Sequence, residues 1–367
     1  MIFNPKIIQI SDFIDRNFPS FANLPSFSKY KSFNDKIIVL EGVGLSPEKG
    51  MMSEKEMDIC FEKIKNYEVI IFSDSEHIWI DNWIYFLKLL VDNKKIIIMS
   101  TFTIGLKNYI NKILPNNFVY FNSIENLIGK NSTDILFDTD PDFSKNRNYL
   151  LKFFSYNRSP QRDYVFDFLI KNNLINGNNL SFHNYPFIEL KDKLNLKKSN
   201  TAYYSNEADE LLKNVDLKQL NNLRLIPQSE SFNVQTQNIQ HDKNVLASKN
   251  SYFEIISEAQ MPYSIDSTNS FYYTHSITKR TIIPILTGNV FHIMPTAKAF
   301  EEDLKEIGFK LFFENDSDFL NKLNEDFYFE KNTQDILKQN FDTIYSIQKN
   351  YNENKNFIID ILNEIYP

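Results

Sequence analysis

Short apolar runs alternate with amphipathic helical patterns over residues 37–120, and this alternation limits the possible folds more than any other feature. Strands joined by crossover helices produce such a pattern, because each crossover returns the chain in its original direction. The predicted strands are 37–41, 69–73, 95–100 and 118–122, and the predicted helices begin near Ser53 and Asp81. The sequence therefore predicts the α/β class. No Gly-x-Gly-x-x-Gly turn follows a predicted strand, which argues against a dehydrogenase-type dinucleotide site.

A strand-loop-helix-strand unit is predicted between residues 251 and 295. Its first strand, 252–256, delivers Ser257 and Glu258 to a carboxyl edge, where open α/β sheets bind their ligands. Thr278 is a predicted helix N-cap, Gly288 a stop signal, and 290–294 the next strand. Pro284 should kink or shorten the helix between them. A carboxylate is therefore expected at a crevice.

A polar stretch from Ile124 to Arg147 separates the two halves of this pattern. It is followed by a predicted strand from Tyr149 and a predicted helix from Gln161, so it is interpreted as an interdomain linker. The predicted domains are residues 1–147 and 148–367.

Two predicted helices of the second domain carry cations at their N-terminal ends. Lys279 and Arg280 lie in the first turn of one helix, and Arg158 and Arg162 lie at the start of the other. Cations there oppose the helix dipole, whereas a bound phosphate would compensate it, so a nucleoside diphosphate is one interpretation. The alternative is that these side chains extend into solvent.

The order of Glu258, an aromatic-containing loop, the segment 277–281 and Pro284 resembles the donor-binding segment of GT-B glycosyltransferases, especially the α-1,3-fucosyltransferase-like enzymes. The resemblance implies two Rossmann-like domains facing across a cleft, with a nucleotide-diphosphate sugar as donor and no metal. It implies that Arg280 binds phosphate and that Glu258 faces the donor sugar. Lys279 departs from the family pattern, because a ribose-binding glutamate is expected there.

The start of the second domain also resembles that family, in a serine-containing turn followed by an arginine and a helix. This likeness implies that Arg162 reaches the donor pyrophosphate, with Arg158 as a second contact. The predicted donor-binding residues are Arg158, Arg162, Ser257, Thr278, Lys279 and Arg280.

Ionisable residues follow two predicted strands of the first domain, where a glycan or another hydroxyl-bearing acceptor would bind. Glu41 ends one strand, and Asp74, Glu76 and His77 follow the next. One of them would serve as the general base, with Asp74 and Glu76 taken with Glu258 as the predicted catalytic residues. The alternative is helix capping and solvated charge.

The overall composition bounds the other partners. A net charge of -7 argues against general nucleic-acid binding, and the single cysteine, Cys60, forms neither a disulfide framework nor a cysteine metal site. The sequence lacks a signal peptide pattern and a long apolar span, so a soluble cytoplasmic protein is expected. Asp138 and Asp140 form an Asp-x-Asp pattern, which is typical of a metal site, but they lie in the predicted linker. The rival functions are a non-catalytic nucleotide- or glycan-binding protein and a nucleotide-sugar epimerase.

Overall fold

The computed structural model describes residues 6–9, 36–41, 54–73, 80–99, 110–111, 114, 118–121, 125, 128–129, 132, 141–155, 160–182, 213, 215–216, 220, 244–258, 277–295, 298–353 and 357–365. Packing divides the chain into two compact units. The first holds residues 1–127, 266–276 and 350–367, and the second holds residues 128–265 and 277–349. The boundary predicted from polarity lies at 147/148 instead.

Nine strands form two parallel sheets in the described part of the chain, as the α/β pattern predicts. The strands are β1 (Lys6–Gln9), β2 (Ile37–Glu41), β3 (Val69–Ser73), β4 (Ile96–Met99), β5 (Val119–Phe121), β6 (Tyr149–Ser155), β7 (Asn179–Phe182), β8 (Ser251–Ile256) and β9 (Val290–Ile293). The helices are α1 (Glu54–Ile64), α2 (Ile80–Asp92), α3 (Pro160–Lys171), α4 (residues 244–249), α5 (Lys279–Thr287), α6 (Lys298–Ile307), α7 (Asp316–Lys322), α8 (Glu325–Phe329), α9 (Lys331–Glu353) and α10 (Phe357–Ile365).

The first sheet has its described strands in chain order, β1-β2-β3-β4-β5, and every neighbouring pair is parallel. Right-handed crossovers between strands that advance in one direction place their helices on one face. In agreement, α1 and α2 lie side by side, with the Tyr85 hydroxyl donating to Asp58 Oδ1 at 2.8 Å. Phe86 of α2 packs edge-on against Phe72 of β3, with ring centroids 6.2 Å apart.

The opposite face of the first sheet is covered by the end of the chain. Leu362 of α10 is fully buried against Ile37, Val39, Val69 and Ile71, which point to this face because strand side chains alternate. Ile361 and Ile365 extend the contact as partly buried neighbours. Helix α10 therefore covers the face opposite the two described crossover helices, α1 and α2.

The second sheet has the order β7-β6-β8-β9, again with all neighbouring pairs parallel. The chain moves from β6 to β7 in one direction, and then returns past β6 to form β8 and β9. Such a reversal places crossover helices on both faces and opens a crevice at the carboxyl ends of the two central strands. In the described strands, the Rossmann-type reversal therefore occurs in the second sheet, between β6 and β8, and not in the first.

Helix α5 is fixed at its C-terminal end by a glycine and an arginine. Gly288 has φ +70°, and a Cβ at this position would lie 2.6 Å from the Phe143 ring, so only glycine fits. The Arg147 guanidinium donates to the carbonyls of Thr287 and Gly288, both at 2.9 Å. A cation at a helix C-terminus is favourable, and it satisfies carbonyls that the helix leaves without intrahelical partners.

The apolar pattern of residues 310–313 predicts a further strand, and this prediction is wrong. These residues form no strand, and the backbone groups of Lys310 bind a side chain instead of a sheet. Asn340 of α9 accepts from the Lys310 N–H at 2.7 Å and donates to the Lys310 carbonyl at 2.9 Å. Phe312 and Phe313 are buried all the same, which explains the strand-like apolar pattern.

Candidate functional site

The candidate site is the carboxyl edge of β6 and β8, where the order of the second sheet reverses. Helix α3 begins a few residues after β6 ends, and Ser257 and Glu258 directly follow β8. Because β6 and β8 are neighbours, the chain segments that follow them start from adjacent points of one edge. The predicted residues of both helix N-termini that the structure describes therefore lie in segments that follow these two neighbouring strands.

Glu258 is buried and binds the start of α5. Its Oε1 accepts from the hydroxyls of Thr278 and Thr281, both at 2.7 Å, and from the Thr278 backbone N–H at 3.3 Å. Glu258 as a whole is only 2% exposed. The carboxyl group therefore lies at the N-terminus of α5, where the helix dipole favours negative charge.

Thr278 is the N-cap of α5, as predicted. Its backbone is extended, with φ -103° and ψ 178°, and its Oγ1 accepts from the Arg280 N–H at 3.1 Å while donating to Glu258. Lys279 and Arg280 follow in the first turn and are partly exposed. No acidic residue lies in that turn, so Glu258 supplies from outside the helix the carboxyl group that the turn lacks.

Two opposing effects act on the pKa of Glu258. Burial raises the pKa of this carboxyl above its ordinary value, because the ionised form loses hydration. The hydrogen bonds from Thr278 and Thr281 lower the pKa, but less than burial raises it. The protonated form is therefore favoured more in the folded chain than in the unfolded chain.

Arg162, Ser257 and Gln161 place further polar groups in the segments that follow β6 and β8. Arg162 is 2% exposed in the first turn of α3, and Ser257 is 3% exposed directly after β8. In the described structure, neither Ser257 Oγ nor Gln161 Oε1 has a hydrogen-bond partner. A buried polar atom in this condition costs about 1–3 kcal/mol, and a bound ligand is one way to satisfy it.

A buried ion pair that sequence analysis did not find lies between β6 and β8. Lys152 and Glu254 are direct cross-strand neighbours, with Lys152 Nζ 2.5 Å from Glu254 Oε1 and 2.7 Å from Ser248 Oγ. Burial lowers the pKa of Lys152, Glu254 opposes this change, and the positive charge of Arg280 lowers the pKa further. Arg280 therefore lies near enough for its charge to act on Lys152. The sequence did contain a signal that could have indicated this pair, namely one charged residue in the middle of each of two apolar runs.

A second polar cluster lies on the other face of the sheet. His292 pairs with Ile255 and shares its face of the sheet. Because Ile255 directly follows Glu254, the side chains of His292 and Glu254 point to opposite faces. Asp316 of α7 joins His292 Nε2 and the Tyr164 hydroxyl of α3, each at 2.8 Å. Burial and the Asp316 carboxylate raise the pKa of Tyr164. This cluster ties α3 and α7 to β9.

Several predicted residues lie outside the described residues, namely Asp74, Glu76, His77, Arg158, Asp138 and Asp140. Glu41 is the last residue of β2, and its backbone pairs with Ser73 of β3. The general base and the second phosphate-binding arginine therefore stay predictions.

Within the described residues, no three metal-ligating side chains form a group that could hold an ion. No helix among them is both long and apolar enough to cross a membrane. A scan against models of known protein families finds no match, and neither does a search of curated proteins.

Proposed function

We propose that this protein is a glycosyltransferase that moves a sugar from a nucleotide-diphosphate sugar to a hydroxyl acceptor. In this proposal the chain has a GT-B arrangement, with the donor on residues 148–367 and the acceptor on residues 1–147. Transfer inverts the anomeric centre and needs no metal. The acceptor is a glycan or another hydroxyl-bearing molecule.

The observation that carries the proposal is the coincidence of strand reversal with buried polar groups. The reversal between β6 and β8 marks the edge at which α/β sheets bind ligands. Ser257 Oγ is buried directly after β8 and has no hydrogen-bond partner in the described structure. Two helix N-termini with Arg162 and Arg280 begin beside this edge. An anionic ligand with hydrogen-bonding oxygens fits this combination of groups.

The two arginines would act on the leaving diphosphate. Breaking the glycosidic bond of the donor transfers negative charge to the diphosphate, and fixed cations aimed at that charge lower the barrier. Arg162 and Arg280 would thus replace the divalent ion that other transferases use. A carboxylate of the first domain, among Glu41, Asp74 and Glu76, would accept the proton of the acceptor hydroxyl.

The alternative function is a non-catalytic protein that binds a nucleotide or a glycan. Two observations favour it. Lys279 occupies the place where the resemblance leads one to expect a ribose-binding glutamate, and Glu258 is buried against protein donors. Binding without turnover distinguishes this alternative from the enzyme.

A thermal-shift screen with nucleoside diphosphates and nucleotide sugars tests the proposal. A ligand at about 100 times its dissociation constant should stabilise the protein by about 2.7 kcal/mol, and should do so in EDTA. Stabilisation that requires Mn²⁺ or Mg²⁺ would contradict metal independence. The best nucleotide sugar is then incubated with the protein, and release of free nucleoside diphosphate separates the enzyme from the binding protein.

A further inference from the structure

Glu258 is the connection between the end of β8 and the first turn of α5. Residues 257–258 follow the strand directly, and the hydrogen bonds described above for the carboxyl group reach Thr278 and Thr281, twenty or more positions along the chain. Thr281 is fully buried, so its hydroxyl has little access to water as an alternative partner. The carboxyl group therefore holds together two segments that lie at the candidate edge.

The first turn of α5 has a specific need for this carboxyl group. Its side chains at the N-terminus are cationic, and it lacks an acidic residue of its own. The partial positive charge at the N-terminus of a helix and two positive side chains in its first turn repel each other electrostatically. Glu258 accepts a hydrogen bond from the Thr278 hydroxyl, and the same hydroxyl oxygen accepts from the Arg280 N–H. The placement of Arg280 thus depends on a residue that follows β8.

We propose that Glu258 is a positioning residue, which fastens the first turn of α5, and with it Arg280, to the carboxyl end of β8. This inference rests on the proposed function in so far as Arg280 binds the diphosphate. It differs from the family resemblance, which implies a glutamate that faces the donor sugar. A carboxyl group that is buried and engaged by donors of α5 acts on the ligand through the helix.

The test uses Thr281→Val, which removes one hydroxyl donor to Glu258 with almost no change in volume, and Glu258→Gln. Thr281→Ser restores the donor and serves as the rescue variant. Thr287→Val is the matched control, because Thr287 is a buried threonine at the other end of α5 whose hydroxyl donates to the Ile283 carbonyl at 2.7 Å. All four variants are made in the full chain.

Two quantities are measured on each variant. Hydrogen exchange without ligand follows the amides of Arg280, Thr281 and Ile282, whose N–H groups bind Thr278. Calorimetric titration with inorganic pyrophosphate gives the affinity of the edge. We expect Thr281→Val and Glu258→Gln to accelerate exchange at these amides at least about tenfold and to weaken pyrophosphate binding at least about threefold. Thr281→Ser and Thr287→Val should match the wild type in both.

The outcomes separate this inference from the proposed function. If Thr281→Val leaves exchange in the first turn unchanged, Glu258 does not fasten the helix, whatever happens to binding. If the wild type fails to bind pyrophosphate, the phosphate site of the proposed function is wrong, and the exchange data still decide the fastening. If Glu258→Gln keeps wild-type exchange and pyrophosphate affinity but loses sugar transfer, the sugar-facing role is correct and the positioning role is overturned.

Discussion

The two sheets of this protein are built from similar short parallel strands, yet they differ in strand order and in what they bury. The first sheet follows chain order, and α10 covers the face opposite its crossover helices. The second reverses between β6 and β8. Every buried polar or charged side chain in the described part of the chain belongs to the second unit. The described buried polar groups therefore lie with the reversed sheet, whereas the described core of the sequential sheet is apolar.

The difference has a physical origin. A sequential order of strands has no point at which neighbouring crossovers diverge to opposite faces and so separate the strand ends. A reversal creates this separation, and polar groups can be held there without disturbing the apolar layers. Buried charges still need partners, and Lys152 with Glu254 and Glu258 with α5 show how this sheet provides them.

The largest effect is expected from breaking the ion pair of the second sheet. Lys152→Met should cost about 3–5 kcal/mol of unfolding free energy, because it leaves the Glu254 carboxyl buried without its cation. The double variant Lys152→Met/Glu254→Leu should recover most of this loss, since it buries no charge. Urea unfolding measures both.

A matched control comes from the first unit. Lys36 and Glu68 also form an ion pair, at 2.9 Å, but both side chains are about half exposed. Lys36→Met should therefore cost less than about 1 kcal/mol. Equal losses for Lys36→Met and Lys152→Met would remove the contrast between the two sheets.

The next effect concerns the cover of the first sheet. Leu362→Ala should cost about 2–5 kcal/mol, because it opens a cavity between α10 and strands β2 and β3. Hydrogen exchange should show lost protection in β2, β3 and β4, with β6 and β8 unchanged. Protection lost equally in both sheets would mean that the two units do not respond separately.

The smallest effect is a pH dependence that belongs to Glu258. Because its pKa is raised in the folded chain, lowering the pH towards the ordinary value of 4.5 adds stability to the wild type. Glu258→Gln lacks this titration. The unfolding free energy of the wild type minus that of the variant should therefore rise as pH falls from neutral to about 4.5. A difference that falls towards acid would mean that the hydrogen bonds from Thr278 and Thr281 outweigh burial.

Much of the local structure could be predicted from sequence. The strands β2 and β3 and the cap residues Thr278 and Gly288 of α5 agree with the predictions, because each depends on apolar spacing or on one residue's backbone preference. Strand β1 was not predicted, since four residues carry little periodic signal. Residues 310–313 were misassigned because their two phenylalanines are apolar and buried, whereas Asn340, distant in sequence, binds the backbone groups of Lys310.

The site could be predicted only in part, for the same reason. The charge pattern of α5 predicts a bound phosphate at its N-terminus, which stays a prediction, and it did not indicate that the Glu258 carboxyl group would bind Thr278 and Thr281 there. The pairing of Lys152 with Glu254 depends on strand order and register, which no local pattern determines. The strand order itself places Ser257 at the reversal. Sequence thus predicted which residues lie at this edge more reliably than what each of them contacts.

Binding of a diphosphate at the reversed edge through its arginines is tested most directly by calorimetric titration in EDTA. The wild type and Arg280→Ala are titrated with the best nucleoside diphosphate. Lys331→Ala serves as control, because Lys331 is an exposed cation in the first turn of another helix, α9. We predict that Arg280→Ala weakens binding by about 1.5–3 kcal/mol, roughly tenfold to 150-fold, while Lys331→Ala binds as the wild type. Without ligand, Arg280→Ala should be as stable as the wild type or slightly more stable, since the repulsion between Arg280 and Lys152 is gone. Unchanged affinity together with a clearly destabilised protein would show that Arg280 is a structural cation and that the edge is not the diphosphate site.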